Sequence, residues 1–249
     1  MTPPPAAAPP VPASPPPAPG ERIDAALALL RPGLRRVLQR VWDGPEPALV
    51  YPEFLHLTHQ IVRASVPLLT DARDRCAGLA RDGGDPVAAR LLPYWERHIE
   101  EERGHDQWVC EDLAALGHDP DEVWRRPPSP DVAALCGAPY YWIRHVHPVC
   151  LLGYLAVLEG SPPHPDVAGL LGARTGYPRA AFRTLSGHAA ADVGHGREVR
   201  ALLDALPLSE RQTAAVALCA LHTTRSALRV FGGLAAAHGA PANIRGRGI

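Results

Sequence analysis

Apolar positions recur at helical spacing from Glu21 onward, and Pro and Gly residues separate the periodic segments. No segment shows the strict apolar–polar alternation expected of a half-buried strand. The pattern predicts helices over residues 21–42, 51–83, 86–116, 139–160, 178–206 and 209–238, with short helical turns between them. Pro32 is expected to bend the first of these helices, and Pro148 to kink the fourth. We therefore expect an all-α bundle of about seven helices, in a single domain over residues 21–238.

The two ends of the chain differ from this helical region. Residues 1–20 are almost entirely Pro, Ala, Ser and Gly, and half of them are proline. A segment of this composition cannot build a core, so a disordered tail is expected there. Residues 239–249 are expected to form a frayed C-terminal tail.

Composition and charge narrow the classes of partner. The net charge is −1 with no basic block, which argues against nucleic-acid and anionic-membrane partners. The five cysteines are far apart and include no C-x-x-C pair, as expected of reduced thiols in a cytoplasmic protein. The longest apolar run, residues 149–158, is too short to span a bilayer.

Three polar residues interrupt the apolar face of the helix predicted at 178–206. His188, Asp192 and His195 follow one another at spacings of four and three, so they project from the same face as Leu185 and Val199. Burying these polar groups without partners would cost several kcal/mol each. A bound metal ion is the simplest compensation.

Two other predicted helices carry polar residues in similar positions. Glu102 and His105 form an E-x-x-H pair, a spacing with which helical bundles present a carboxylate and an imidazole to iron. Glu101, the preceding residue, is the alternative carboxylate ligand. The charged residues 100–103 are otherwise expected to form a solvent-exposed face of the helix. Glu159 closes the apolar face of the helix at 139–160, unless it is simply a surface residue beside Gly160.

Six residues together make a dinuclear metal site the favoured interpretation, against a set of hydrogen-bonded polar core residues. They supply three carboxylates and three imidazoles, a mixture that suits iron or manganese better than structural zinc. Two metal ions held by six protein ligands would keep positions open for O₂ or a substrate. The candidate ligands are Glu102, His105, Glu159, His188, Asp192 and His195.

The motif His188-x-x-x-Asp192-x-x-His195 resembles the third metal-binding helix of the heme-oxygenase-like diiron oxidases and oxygenases, or iron-containing redox enzymes. Glu159 in Leu-Glu-Gly and His105 in Glu-Glu-Arg-Gly-His resemble ligands of its other two helices, and the resemblance covers about residues 50–235. It implies a heme-oxygenase-like bundle that binds two Fe(II) ions and uses O₂ as co-substrate on a small metabolite.

One position departs from the commoner family pattern. Many members carry a carboxylate seven residues before the first histidine, where this chain has His98. A subset that includes alkene-forming fatty-acid decarboxylases uses an E-x-x-H arrangement instead. Resemblance to this subset favours Glu102 as the carboxylate ligand. His98 is then either a hydrogen-bond partner of a ligand or an additional ligand.

The substrate is expected to be a small molecule with a carboxylate, either an amino acid or a fatty acid. His59, Arg63 and Arg183 are candidates for holding it, with a hydrogen-bonded core histidine and solvated arginines as the ordinary alternatives. Heme is not expected as cofactor, because true heme oxygenases bind heme through a histidine on an early helix, and residues 21–42 contain no histidine. The alternatives are a non-catalytic iron-binding or storage bundle and a thiaminase-like hydrolase with a cysteine nucleophile. A homodimer is a candidate assembly.

Overall fold

The computed structural model describes residues 17–160 and 162–238. Within these ranges the chain forms α-helices and two short 3-10 turns without any β-strand, which confirms the all-α prediction. The helices are α1 (Pro19–Ala28), α2 (Arg31–Trp42), α3 (Pro47–Val62), α4 (Ser65–Gly83), α5 (Pro86–Glu102), α6 (His105–Ala115), α7 (Glu122–Arg125), α8 (Pro130–His145), α9 (Leu151–Leu158), α10 (Val167–Thr175), α11 (Arg183–Ala205) and α12 (Glu210–His238). The 3-10 turns cover Pro148–Cys150 and Arg179–Phe182.

The N-terminal boundary lies earlier than expected. Helix α1 begins at Pro19, and the backbone N–H of Gly20 donates a hydrogen bond of 2.9 Å to Asp204 Oδ1 on α11. Residues 19 and 20 therefore belong to the helical region rather than to the predicted tail. The other predictions for the ends concern residues 1–16 and 239–249, which lie outside the described residues.

There are more helices than the seven expected because the structure breaks several long periodic segments. The prediction of one helix over residues 86–116 is wrong, since Arg103 is extended and Gly104 has φ +86° between α5 and α6. A positive φ is open to glycine at no steric cost, so the chain can turn sharply at this position. Similar breaks at residues 29–30 and 63–64 divide the first two predicted helices.

The prediction of a helix over residues 139–160 is also wrong. Helix α8 begins after Ser129, whose Oγ accepts the Val132 N–H at 3.2 Å, and the chain turns at His147. There the Nδ1 of His147 accepts the Val149 N–H at 3.0 Å, which starts the 3-10 turn leading into α9. Pro148 therefore begins a new element, where its missing N–H costs nothing, instead of kinking a long helix.

The main core lies between α4, α5, α9 and α12. Leu91, Trp95, Leu152 and Val216 are fully buried in it. Helix α9 crosses α12 so closely that a side chain at Gly153 would overlap the Val216 carbonyl. This close packing holds α9, and the chain that follows it, against the longest helix of the bundle.

Candidate metal centre

The six predicted ligands come from four helices or their ends. Glu102 is the last residue of α5, His105 the first of α6, and Glu159 directly follows α9, while the other three lie on one face of α11. His98, one turn before Glu102, projects to the same place and is completely buried.

One group of ligand atoms surrounds Glu159. His98 Nε2 lies 3.2 Å from Glu159 Oε1, and His195 Nδ1 lies 3.7 Å from Glu159 Oε2. Together with Glu102, these three residues each offer a ligand atom, and the four atoms lie within 4.8 Å of one another. Such a group has the size and the chemistry of a metal site.

A second group lies beside the first and shares Glu102 with it. Glu102 Oε1 is 3.2 Å from His105 Nδ1, and the rings of His105 and His188 meet edge to face with centroids 5.1 Å apart. His188 Nδ1 lies 2.9 Å from the Thr184 carbonyl and donates to it, which leaves Nε2 free as a ligand atom.

Asp192 lies on α11 between His188 and His195. Its carboxyl group is buried, and burial followed by the charges of Glu159 and Glu102 raises its pKa to about 8. Burial likewise raises the pKa of Glu159, against the opposing effect of His98. Three buried carboxylates this close together repel one another, so a bound cation would relieve the site.

Several buried atoms at the site have no hydrogen-bond partner among the described residues. They are His105 Nδ1, Glu159 Oε2 and His195 Nδ1. Unpaired buried polar atoms are costly, and atoms that approach one another without hydrogen-bond alignment are typical of ligands directed at one ion. Imidazole nitrogens mixed with carboxylates suit iron or manganese, so these residues fit the expected metal pair.

Contacts behind the site position α11. The Asp112 carboxylate on α6 accepts the backbone N–H groups of Arg183 at 2.8 Å and of Thr184 at 2.9 Å, which ties the start of α11 to α6. Trp108 on α6 packs on the His105 ring with centroids 3.9 Å apart, and Gly187 on α11 leaves just enough space for it. The periodicity of the sequence contains no signal for these contacts.

A cavity of about 650 Å³ opens from the candidate centre, with Glu102, Glu159, His188 and Asp192 in its lining. Its other walls are mostly apolar side chains from α2, α3, α9 and α12: Leu34, Leu38, Trp42, Phe54, Ile61, Val62, Leu155, Leu158 and Phe231. A cavity of this size and lining is typical of a small-molecule site.

The structure does not bring the predicted substrate residues to this cavity. His59 and Arg63 pack against Trp124, and Arg183 pairs with Glu111 beside Trp108. None of the three is among the cavity-lining residues. The cavity therefore gives no support to their role in holding a substrate, which stays a prediction.

Two arginines that the sequence analysis missed line the cavity instead. Arg31 and Arg35 lie one turn apart on α2, on the face that also presents Leu34 and Leu38. In the sequence, their position on the same helical face as Leu34 and Leu38 was the available signal. Without the position of α2 beside the site, however, the two arginines cannot be distinguished from solvent-exposed residues.

Glu101 and Glu102 occupy different positions although they are neighbours in sequence. Glu102 is buried at the centre, whereas the Glu101 side chain is 38% exposed. Glu101 Oε2 lies 3.4 Å from His98 Nδ1 and 3.5 Å from His195 Nε2, on the outer side of both rings. Of the two rival carboxylates, Glu102 is the inner one.

The fold and the site define a helical protein with a carboxylate- and histidine-rich candidate metal centre. The chain belongs to the family described as iron-containing redox enzymes, whose model matches residues 93–227. A comparison with curated proteins finds none that matches.

Two solved structures share the fold. A domain of unknown function with a heme oxygenase-like fold from Shewanella denitrificans is 18% identical with a TM-score of 0.67, and the match covers 87% of this chain and 88% of that one. A TenA homolog from Pseudomonas syringae pv. tomato is 12% identical with a TM-score of 0.68, covering 87% and 92%. The chain therefore has a heme oxygenase-like fold. None of the described helices is long and apolar enough to cross a membrane.

Proposed function

We propose that this protein is an O₂-dependent, non-heme diiron oxidase or oxygenase that acts on a small carboxylate. The observation that carries the proposal is the group of four ligand atoms from His98, Glu102, Glu159 and His195, with His105 in contact with the same Glu102 carboxylate and His188 beside His105, at one apolar cavity. Two bound Fe(II) ions would supply the electrons that reduce O₂ beside the substrate.

The residues that would hold the two ions form two sets. Glu102, His105 and His188 form one set of donors, and Glu159 and His195 belong to the other. Asp192 lies between the two sets. All these groups are fixed by helices, so the ligand geometry exists before the substrate arrives.

The cavity supports a substrate with an apolar body. Its aromatic and aliphatic walls, such as Trp42, Phe54 and Phe231, would bury such a body and exclude water. Arg35 makes no ion pair within the described part of the chain, while Arg31 is 3.0 Å from Asp24. Arg35 is therefore the better cation for a substrate carboxylate, and a medium-chain fatty acid fits better than a polar amino acid.

A thiaminase-like reaction has less support. No cysteine lines the cavity, and burial raises the pKa of Cys136 to about 11 and the pKa values of Cys76, Cys150 and Cys219 to about 12. A nucleophilic cysteine needs the opposite shift, toward the thiolate. The likeness to the TenA homolog concerns the fold alone.

The first experiment is anaerobic reconstitution with Fe(II), followed by measurement of bound iron and of O₂ consumption with a panel of fatty acids and amino acids. We expect about two ions per chain and O₂ uptake stimulated by an apolar carboxylate. His188→Ala should lose iron, whereas the exposed His145→Ala is the matched control. Iron uptake unaffected by His188→Ala would overturn the proposal. Iron uptake without any carboxylate-dependent O₂ consumption, or elution as a large shell, would favour a storage bundle instead.

The second experiment tests the substrate anchor. Arg35→Gln should raise KM for the active carboxylate at least tenfold with a smaller change in kcat, because the lost contact binds a group remote from the reacting atoms. Arg36→Gln, on the same helix but outside the cavity lining, should leave KM unchanged. Equal effects of the two substitutions would contradict a role for Arg35.

A further inference from the structure

We propose that His98 is a direct ligand of the metal pair, and that Glu101 is the positioning residue that orients both His98 and His195 toward it. This inference rests on the proposed metal centre. It concerns a position where the chain departs from the family pattern that its other motifs resemble.

The His98 ring is held in one orientation. The side chain is completely buried, and the ring stacks on Tyr94 with centroids 5.3 Å apart and an interplanar angle of 16°. Its Nε2 is directed at Glu159 Oε1, 3.2 Å away, and its ring centroid is 4.6 Å from that of His195. Nε2 is therefore one of the four atoms that could surround a single ion.

The outer nitrogens of both rings share one carboxylate. Glu101 Oε2 lies 3.4 Å from His98 Nδ1 and 3.5 Å from His195 Nε2, while the inner nitrogens, His98 Nε2 and His195 Nδ1, face the two oxygens of Glu159. A metal-bound histidine commonly donates its other N–H to a carboxylate, which fixes the tautomer and the ring orientation. Glu101 is placed to accept both N–H groups.

Arg97 holds Glu101 in this position. The Arg97 Nε is 3.6 Å from Glu101 Oε1, and the same guanidinium pairs with Glu198 on α11. One oxygen of Glu101 thus faces the arginine and the other faces the two imidazoles. This network connects α5 to α11 on the solvent side of the candidate centre.

The alternative role for His98 is hydrogen bonding alone. A neutral ring that donates from Nε2 to Glu159 would turn the Nδ1 lone pair toward the Glu101 carboxylate, which is repulsive, whereas an imidazolium would donate to both carboxylates and bind no ion. In the ligand role Nδ1–H donates outward and the Nε2 lone pair faces the ion. The ligand role also gives each ion two imidazoles: His105 and His188 for one, His98 and His195 for the other.

The experiment measures metal binding in the absence of O₂ and substrate. Co(II) titrations followed by calorimetry and by visible absorption should show two sites of similar affinity in the wild type. In His98→Gln one site should weaken at least tenfold, with a change in the absorption bands. His98→Asp, which restores a metal-ligating group at this position, should recover the second site and serves equally if the glutamine variant does not fold.

Glu101 has a matched control in its neighbour. Glu101→Gln should keep two sites but weaken Co(II) binding about 10- to 100-fold, as expected when a carboxylate behind ligating histidines is lost. Glu100→Gln, which removes a carboxylate paired only with Arg103 at the surface, should bind Co(II) as the wild type does.

The outcomes separate this inference from the proposed function. A wild type that binds no Co(II) would overturn the metal centre itself. A wild type with two sites, together with His98→Gln that retains both at unchanged affinity and absorption, would overturn the ligand role of His98 alone. Equal behaviour of Glu101→Gln and Glu100→Gln would overturn the positioning role of Glu101.

Discussion

Asp192 shows what a single carboxylate costs before any metal binds. It is buried between Glu159 and Glu102, and its pKa is raised to about 8 by burial and then by these two charges. Asparagine has nearly the same shape without the charge. Asp192→Asn should therefore raise the melting temperature of the metal-free protein by roughly 2–8 °C, if about 1–2 kcal/mol of the cost of burying this acidic group is removed.

The same substitution should weaken Co(II) binding at least tenfold, because an anionic donor is lost. Thermal melts with EDTA and with Co(II) measure both effects, and the exposed Asp121→Asn is the control. A melting temperature that falls in the metal-free protein as well would mean that Asp192 is structural.

His59 provides a pH-dependent contribution to stability away from the metal centre. Burial lowers its pKa to about 4, and the charge of Arg63 adds to the shift, while Asp106 opposes it. Because the folded state disfavours the charged ring, stability is fully present above the unfolded pKa near 6.5 and is lost as pH falls toward 4. His59→Gln should reduce this loss.

Urea unfolding at pH 7 and pH 4.5 measures the effect. The free energy of unfolding should fall less between these two values in His59→Gln than in the wild type. The exposed His164→Gln should behave as the wild type does. An unchanged pH dependence in His59→Gln would show that His59 ionises as readily in the folded chain as in the unfolded one.

Residues on an apolar stripe, and their grouping at one site, could be predicted from the sequence, but the neighbour that each side chain contacts could not. Helical spacing identified His188, Asp192 and His195, and the structure brings them to Glu102 and Glu159. Glu101 and Glu102 differ by about 100° in direction around the helix, and both lie at the end of α5. Periodicity does not resolve which of the two faces the site. The contact of His59 with Trp124 could not be predicted for a similar reason, since an apolar stripe does not say which neighbour covers it.

At the level of the helix, the packing of α11 against α6 requires a glycine at position 187. A Cβ at Gly187 would overlap the ring of Trp108, which packs on His105. Gly187→Ala should therefore destabilise the protein by about 1–3 kcal/mol through overpacking and should weaken Co(II) binding as His105 shifts.

Gly194 is the matched control on the same helix. A Cβ there meets nothing within 4 Å, so Gly194→Ala should stabilise the protein by up to about 1 kcal/mol through helix propensity. Thermal melts and Co(II) titration of the two variants measure the contrast. If Gly187→Ala stabilises the protein as Gly194→Ala does, the Trp108 contact is not what limits α11.

Helix existence was easier to predict than helix ends. The apolar pattern runs through Gly104 without interruption, so the break between α5 and α6 could not be predicted from periodicity. A glycine within a helical pattern is compatible with a continuous helix and with a helix end, and only the backbone shows φ +86° here. The turn at His147 was missed because its hydrogen bond to Asp85 joins distant parts of the chain and depends on tertiary packing.

For the whole molecule, metal loading should act as a cross-link among four helical segments. The candidate ligands come from the junction of α5 and α6, from the end of α9 and from α11, three parts of the chain that are far apart in sequence. A ligand that binds only the folded state at 100 times its Kd adds about 2.7 kcal/mol. The melting temperature should therefore rise by roughly 5–10 °C with Co(II) and return with EDTA. No change on loading would contradict a site shared by these segments.

The all-α class and the heme oxygenase-like fold could be predicted from the sequence, whereas the cavity could not. Periodicity and the His188-x-x-x-Asp192-x-x-His195 motif point to the fold, and the family match over residues 93–227 agrees with them. The cavity depends on where α2, α3 and α12 lie. The apolar faces of these helices do not indicate whether they pack against side chains or line a cavity.

The cavity walls have a consequence for how relatives can diverge. Helices α2, α3 and α12 supply walls but none of the candidate ligands, whereas α9 supplies walls and leads directly into Glu159. Much of the shape of the cavity is thus encoded on helices that carry no candidate ligand. Substitutions at Leu38 or Ala227 could change which molecule is admitted while leaving the reactive machinery intact, so selectivity can evolve, or be engineered, one wall at a time.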